Sequence, residues 1–229
     1  WNFHVDWDMP DNSTFGLNSS YDPNYIIPTS DVDPSVYGIP QPDTGAPLDA
    51  IADRLMHRLQ YRNYGGYATL VSNHTVDADD NDHAGVHWFE LRNAGADWFL
   101  QQDGVYSPDQ EHRWMGSAAM DAVGNLALGY SVSSQSVYPS VRYTGRLATD
   151  PPGILGQGEA TLVDGTGSQT DILYGRWGDY SMMGVDPDDD CTFWYTQEYV
   201  AETGENTWTT RIGAFRFPNC SIGPRGIIQ

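Results

Sequence analysis

The sequence predicts an all-β chain: a β-propeller of four-stranded antiparallel blades that forms the C-terminal part of a larger propeller. Three observations predict it. Many short apolar runs end in turn residues, in a chain with 24 glycines and 14 prolines among 229 residues. A unit of similar sequence occurs three times, and each copy reads as several strands separated by tight turns. Blades of this kind bury their faces only against neighbouring blades.

The repeated unit opens with an arginine in each copy. Arg54, Arg113 and Arg176 start successive copies, 59 and 63 residues apart. After each arginine the pattern is strand, tight turn, strand. Residues 120–131 and 185–196 align without a gap, which pairs Tyr130 with Tyr195.

Further strands complete each unit. Third strands are expected at 86–92, 140–146 and 208–215, and fourth strands at 98–101 and 159–163. The three blades would then cover residues 51–108, 109–172 and 173–229.

One segment has a competing interpretation. Ile51, Leu55 and Leu59 form an i, i+4, i+8 stripe, which is typical of a helix. The repeat nevertheless aligns the chain from Arg54 onward with 114–120, a segment of strand character. We therefore expect a strand there.

We expect residues 1–50 to contain the outer strands of a preceding blade, followed by a long irregular segment rich in proline, aspartate and serine. Three units and a partial one make about four blades, the lower limit for closing a ring. We expect a longer polypeptide or another chain to complete the propeller. A closed four-bladed ring is the alternative.

The charge of the chain limits its partners. It has 31 acidic and 11 basic residues, and every basic residue is an arginine. A net charge of −20 opposes binding to nucleic acid or anionic lipid. No apolar stretch reaches the roughly 18 to 20 residues needed to span a bilayer, so no membrane span is expected.

Cysteines and glycosylation motifs point to an oxidising, extracellular setting and a secreted protein. Cys191 and Cys220 are the two cysteines, and they predict one disulfide, with two buried free thiols as the alternative. Four asparagines lie in Asn-x-Ser/Thr sequons and are candidate glycosylation sites, although each alone is a weak signal. They are Asn12, Asn18, Asn73 and Asn219.

The segments RWGDYS at 176–181 and DDCTFWYT at 189–196 carry a resemblance to a known group. They resemble an uncharacterised set of secreted bacterial β-propellers in the sialidase-like, Asp-box-related superfamily. The resemblance implies the propeller fold and an extracellular location. The Asp-box itself, Ser-x-Asp-x-Gly-x-x-Trp, is matched poorly by MDAVGN at 120–125.

A sialidase-type site needs several arginines that converge on a substrate carboxylate, with an acid and a tyrosine nearby. Arg54, Arg113 and Arg176 are the candidates if the first strands line a central channel. Asp179 and Tyr180 lie in a two-residue insertion of the third copy and form the unit-specific acid and phenol. In the alternative interpretation, each arginine bonds an acid or carbonyl of the neighbouring blade, and Asp179 and Tyr180 belong to a satisfied core network.

An acidic turn is the candidate metal site. Asp186, Asp188, Asp189 and Asp190 place four carboxylates within five residues at a predicted turn, which is the oxygen chemistry that Ca²⁺ prefers. The spacing is not that of an EF-hand. An ordinary solvated acidic turn is the alternative.

The sequence favours a non-catalytic extracellular propeller that binds a glycan or a protein, or assembles at a cell surface. A sialidase-like glycoside hydrolase is the alternative. Motifs of other hydrolases, such as Gly-x-Ser-x-Gly and His-Glu-x-x-His, are missing.

Overall fold

The computed structural model describes residues 1, 3–17, 22–95, 97–170 and 175–221. Within those ranges the chain is all-β, with thirteen strands in four antiparallel sheets and one short 3-10 turn at Pro10–Asn12. The predicted all-β class is confirmed. No helix in the described part of the chain is long and apolar enough to cross a membrane.

Strands β1 (Phe3–His4) and β2 (Thr14–Phe15) form a small N-terminal sheet. The described residues from 22 to 59 contain no strand longer than a single bridge. This stretch packs against the body of the protein through buried side chains such as Ile39 and Leu48, which cluster with Trp114, and through single hydrogen bonds. The backbone N–H of Ser30, for example, donates to Asp103 at 2.7 Å.

The other three sheets are meanders, in which each strand pairs with the next along the chain. The first sheet contains β3 (Gln60–Asn63), β4 (Ala68–Asp77), β5 (Ala84–Asn93) and β6 (Phe99–Tyr106). The second contains β7 (His112–Met120), β8 (Leu126–Ser133), β9 (Ser140–Arg146) and β10 (Ala160–Val163). The third contains β11 (Met182–Val185), β12 (Phe193–Val200) and β13 (Trp208–Phe215). The predicted third and fourth strands are present, although β6 runs on to Tyr106; the third sheet has three strands among the described residues instead of the expected four.

The segment before β3 differs from both interpretations of the sequence. Residues 51–59 form turns and irregular backbone, and the strand begins only at Gln60. Met56 donates its N–H to the carbonyl oxygen of Asn73 at 3.0 Å. The Ser72 hydroxyl donates to the carbonyl oxygen of Arg58, also at 3.0 Å. These single contacts satisfy the backbone without a regular ladder, so the expected strand from Arg54 is wrong.

The ungapped alignment of the second and third copies is also wrong. Met120 pairs with Leu126 across the turn of the second sheet. In the third sheet Val185 pairs with Phe193, so its turn is longer by two residues. The longer turn is held by the Asp189 carboxylate, which accepts backbone N–H groups inside it.

Tyr195 is therefore the counterpart of Leu128 rather than of Tyr130. Its ring lies against Gly129 of the second sheet. A Cβ at Gly129 would lie 2.5 Å from the ring, so this contact requires glycine.

The three larger sheets pack against one another in chain order. Strands β4 and β5 contact β7, while β11 and β12 contact β7, β8 and β9. The second sheet is thus covered on both faces, and every residue of β8 is buried. The third sheet buries Phe193 and Tyr195 on one face and exposes Trp194 on the other.

The predicted disulfide between Cys191 and Cys220 is confirmed. It ties the turn between β11 and β12 to the chain that follows β13. In the chain-entropy model, a loop of this length stabilises the fold by about 3 to 4 kcal/mol.

Candidate functional site

The three arginines that open the sequence units have different surroundings. Arg113 is fully buried in β7. It donates to Asp109 at 2.7 Å and 2.9 Å and to Glu159 at 2.7 Å and 3.2 Å. Arg113 therefore does not reach a cavity, and its contacts are those of a structural residue.

The Glu159 carboxylate is the centre of this buried network. It also accepts hydrogen bonds from Tyr130 and Arg142, both at 2.7 Å. Burial by itself acts to raise the pKa of Glu159. The hydrogen bonds and positive charge around it, those of Arg113 first, outweigh burial and bring the pKa below its usual value.

Arg54 and Arg176 are exposed and line one cavity of about 580 Å³, together with Asp179 and Tyr180. Each arginine pairs with an acid close by in the chain. Arg54 bonds Asp53 through two nitrogens at 2.8 Å, and Arg176 bonds Asp179. The structure thus brings together two of the three predicted arginines and the predicted acid and phenol.

A second cavity of about 360 Å³ shares Arg176, Asp179 and Tyr180 with the first. It extends along the third sheet to Glu198 on β12 and Trp208 on β13. We call the two cavities together the cleft. Two of its aromatic side chains are accessible, because Tyr180 is 44% and Trp208 is 52% exposed.

Glu198 is the titratable residue of the cleft that sequence reasoning missed. Its side chain accepts the backbone N–H of Gly178 at 2.8 Å. In the part of the chain that the structure describes, no arginine pairs with it. Burial, and then the negative charge of Asp179, raise the pKa of Glu198 from 4.5 to about 7.

Local backbone geometry allows this contact. Gly178 has φ of +47°, a region that favours glycine. A Cβ at this position would lie 2.6 Å from the side-chain oxygen of Gln197. A glycine is therefore required for the chain to pass this close to β12 and present its N–H to Glu198.

The cleft can bind a ligand through exposed rings, hydrogen-bond acceptors and negative charge. A carboxyl group that holds its proton near neutral pH can also donate a hydrogen bond or a proton. The signal in the sequence is weak. Glu198 lies two residues beyond the aligned segment 185–196, in a strand sequence that contains no catalytic motif.

The acidic turn uses most of its carboxylates within the protein. Asp189 accepts the backbone N–H and the hydroxyl of Thr192 at 2.8 Å and 2.6 Å, and these hydrogen bonds help lower its pKa to about 2. Asp190 pairs with Arg62. Asp186 accepts a backbone N–H inside the turn at 2.9 Å. Among the described residues no group of three or more ligands is arranged for a metal ion. Calcium binding at this turn stays a prediction.

The sequons lie in different environments. Asn12 and Asn219 are exposed, while Asn18 lies outside the described residues. Asn73 is fully buried between the first two sheets. A Cβ on Gly116 would lie 2.4 Å from its side-chain oxygen, so this position of the folded chain has no room for a glycan.

Comparison of the chain with family models, with curated proteins and with solved structures finds no match. The function is therefore argued from the cleft.

Proposed function

We propose that the chain is part of an extracellular β-propeller and that its cleft binds a glycan without cleaving it. Support for the propeller comes from three meandering sheets that pack face to face in chain order. The disulfide agrees with an oxidising compartment. In this arrangement the chain contributes successive blades, and a further chain or segment completes the ring.

One observation carries the binding proposal. The cleft exposes the rings of Trp208 and Tyr180 beside carboxylates and amides that can form hydrogen bonds. Exposed aromatic faces stack on the apolar faces of sugar rings, while polar neighbours bond the hydroxyls. Arg54 and Arg176 are already paired with acids, so a substrate carboxylate would have to displace those partners.

Hydrolysis of a glycoside is the second candidate. It is favoured by Glu198, whose pKa of about 7 suits a proton donor. The carboxyl group of Asp179 lies in the same cavity and would be the second acid of the pair. Sialidase activity in particular has less support, because it needs three converging arginines and Arg113 lies outside the cleft.

A glycan panel with two matched tryptophan variants tests the proposal. Trp208 lines the cleft, whereas Trp194 is similarly exposed, at 47%, but lies outside it. We expect Trp208→Ala to weaken glycan binding by about tenfold, and Trp194→Ala to leave it unchanged. Equal loss in both variants, or no glycan bound at all, would overturn the proposal. Release of free sugar that stops in Glu198→Gln would favour the hydrolase.

A further inference from the structure

Given the glycan-binding function proposed above, on which this inference rests, we propose that the cleft selects a glycan with a free, positively charged amine. The chemical class is an amino-sugar oligosaccharide without N-acetyl groups. Four observations on the cleft lead to this class: its charge, its unpaired acceptors, its exposed rings and the position of Glu198.

The cleft has more carboxylates than cations. Its lining includes four acids and two arginines. The acids are Asp49, Asp53, Asp179 and Glu198, and the cations are Arg54 and Arg176. The surrounding molecule has a net charge of −20 and no lysine. This field attracts cations and repels the carboxylates of sialic or uronic acids.

Two hydrogen-bond acceptors at the cleft, on Gln169 and Glu198, have few donors from the described part of the chain. Gln169 lines the cavity and is 3% exposed. Its side-chain nitrogen donates to the carbonyl oxygen of Arg176 at 3.2 Å, but among the described residues its side-chain oxygen has no hydrogen-bond partner. Among the described residues, the hydrogen bond that Glu198 receives comes from Gly178. An ammonium group offers three donors and no acceptor, so it complements the carboxylate oxygens of Glu198.

The exposed rings favour a sugar as the carrier of the amine. Trp208 and Tyr180 can stack on a pyranose ring and attract a cation over their faces. An amino sugar presents ring and amine in one rigid unit. A lysine side chain would supply the charge, but it must lose the freedom of a flexible stem on binding.

Binding of an amine should depend on pH through Glu198. The charged residues that line the cavity with Glu198 are Asp179 and Arg176, and Tyr180 is a further titratable residue of the lining. The side chains that β13 contributes to the cavity are uncharged. Below neutral pH the Glu198 carboxyl holds its proton and attracts the amine less. Above neutral pH the amine loses its own proton. Affinity should therefore be highest near neutral pH, with the acid limb set by Glu198.

Calorimetric titration of the folded chain with two oligosaccharides tests the inference. The probes are a glucosamine hexamer and its fully N-acetylated counterpart. We expect the free amine to bind about tenfold more tightly at neutral pH. Glu198→Gln should abolish this preference and flatten the acid limb of the pH profile, because it removes the negative charge that attracts the amine. The substitution keeps the size of the side chain and an oxygen that accepts the N–H of Gly178. Glu202→Gln, an exposed acid outside the cleft, removes the same charge and should keep the preference.

The outcomes separate this inference from the function on which it rests. Equal affinity for both hexamers, lost in Trp208→Ala, would overturn the amine selection and leave glycan binding intact. Failure to bind either hexamer or any glycan of the panel would overturn both. Tighter binding of a lysine peptide of equal charge would overturn the amino-sugar class. Melting curves of each variant confirm that it is folded, so that a loss of binding can be assigned to the cleft.

Discussion

Two glutamates of this protein are withdrawn from water in different ways. Glu159 lies among Arg113, Arg142 and Tyr130, and its pKa falls below the usual value. Glu198 accepts a backbone N–H, and among the described residues no arginine pairs with it; burial and then Asp179 raise its pKa to about 7. In a chain with only 11 basic residues, the placement of arginines thus distinguishes a structural acid from an acid that can respond to a ligand.

The packing of the sheets explains the difference. The second sheet is covered on both faces, so the charge of Arg113 within it would be cut off from solvent without the carboxylates of Asp109 and Glu159. Glu198 lies on the third sheet, on the edge of an open cavity. There water or a ligand can compensate the charge.

The largest expected effect is on the buried network. Arg113→Met leaves Glu159 without its main partner, and removing one member of a buried pair costs about 3 to 5 kcal/mol. Urea unfolding should show this loss. Arg176→Met removes an exposed ion pair and should leave the unfolding midpoint unchanged. Similar shifts in the two variants would mean that burial does not distinguish the two arginines.

A smaller effect is expected from the pH dependence of Glu198. Its pKa is higher in the folded than in the unfolded protein, so its stabilising contribution is present below about pH 4.5 and lost as pH rises through 7. Glu198→Gln should remove this loss. Between about pH 5 and pH 8 we expect the wild type to lose about 1 to 2 kcal/mol of unfolding free energy relative to the variant, after allowance for partial solvent screening.

Glu159→Gln should change the pH dependence of stability in the opposite direction to Glu198→Gln. The pKa of Glu159 is lowered in the folded protein, so its contribution is present at neutral pH and is lost on acidification. The variant should be less stable than the wild type at neutral pH, and the gap should narrow in acid. A gap that widens in acid would contradict the roles assigned to the two carboxyl groups.

The smallest expected effect on stability comes from a histidine, His74, whose pKa is also shifted by burial. His74 Nε2 lies 2.9 Å from His87 Nδ1, and His87 Nε2 lies 3.1 Å from Asp103. Burial, and then the proximity of His87, lower the pKa of His74 to about 4. Its contribution is therefore present above about pH 6.5 and declines as pH falls towards 4.

The decline should amount to about 1 kcal/mol, because His74 is only partly buried. Thermal unfolding of the wild type and of His74→Gln across this pH range measures it. Parallel pH profiles of the two proteins would rule out His74 as the source.

Much of the fold could be predicted from the sequence. The repeated unit and its turn signals located β9 and β13 at their observed bounds, because a strand and the turns that flank it are local features of the sequence. The irregular stretch 51–59 could not be predicted, since its backbone bonds depend on contacts with β4. The longer turn before β12 was missed for a similar reason, because side-chain caps decide its length.

The candidate site was predicted in part. Asp179 and Tyr180 interrupt the repeat, and both line the cleft. Sequence alone could not separate Arg113 from Arg54 and Arg176, because their burial depends on which sheet faces are covered. Glu198 was missed because a strand sequence does not show which acids lack an arginine in three dimensions.

Direct titration of Glu198 tests the central claim most sharply. NMR observation of side-chain carboxyl carbons, assigned by the loss of one signal in Glu198→Gln, reports its pKa in the folded protein. We expect a midpoint of about 7. A midpoint near the ordinary glutamate value of 4.5 would contradict the claim that this carboxyl is partly buried at the cleft without an arginine paired to it.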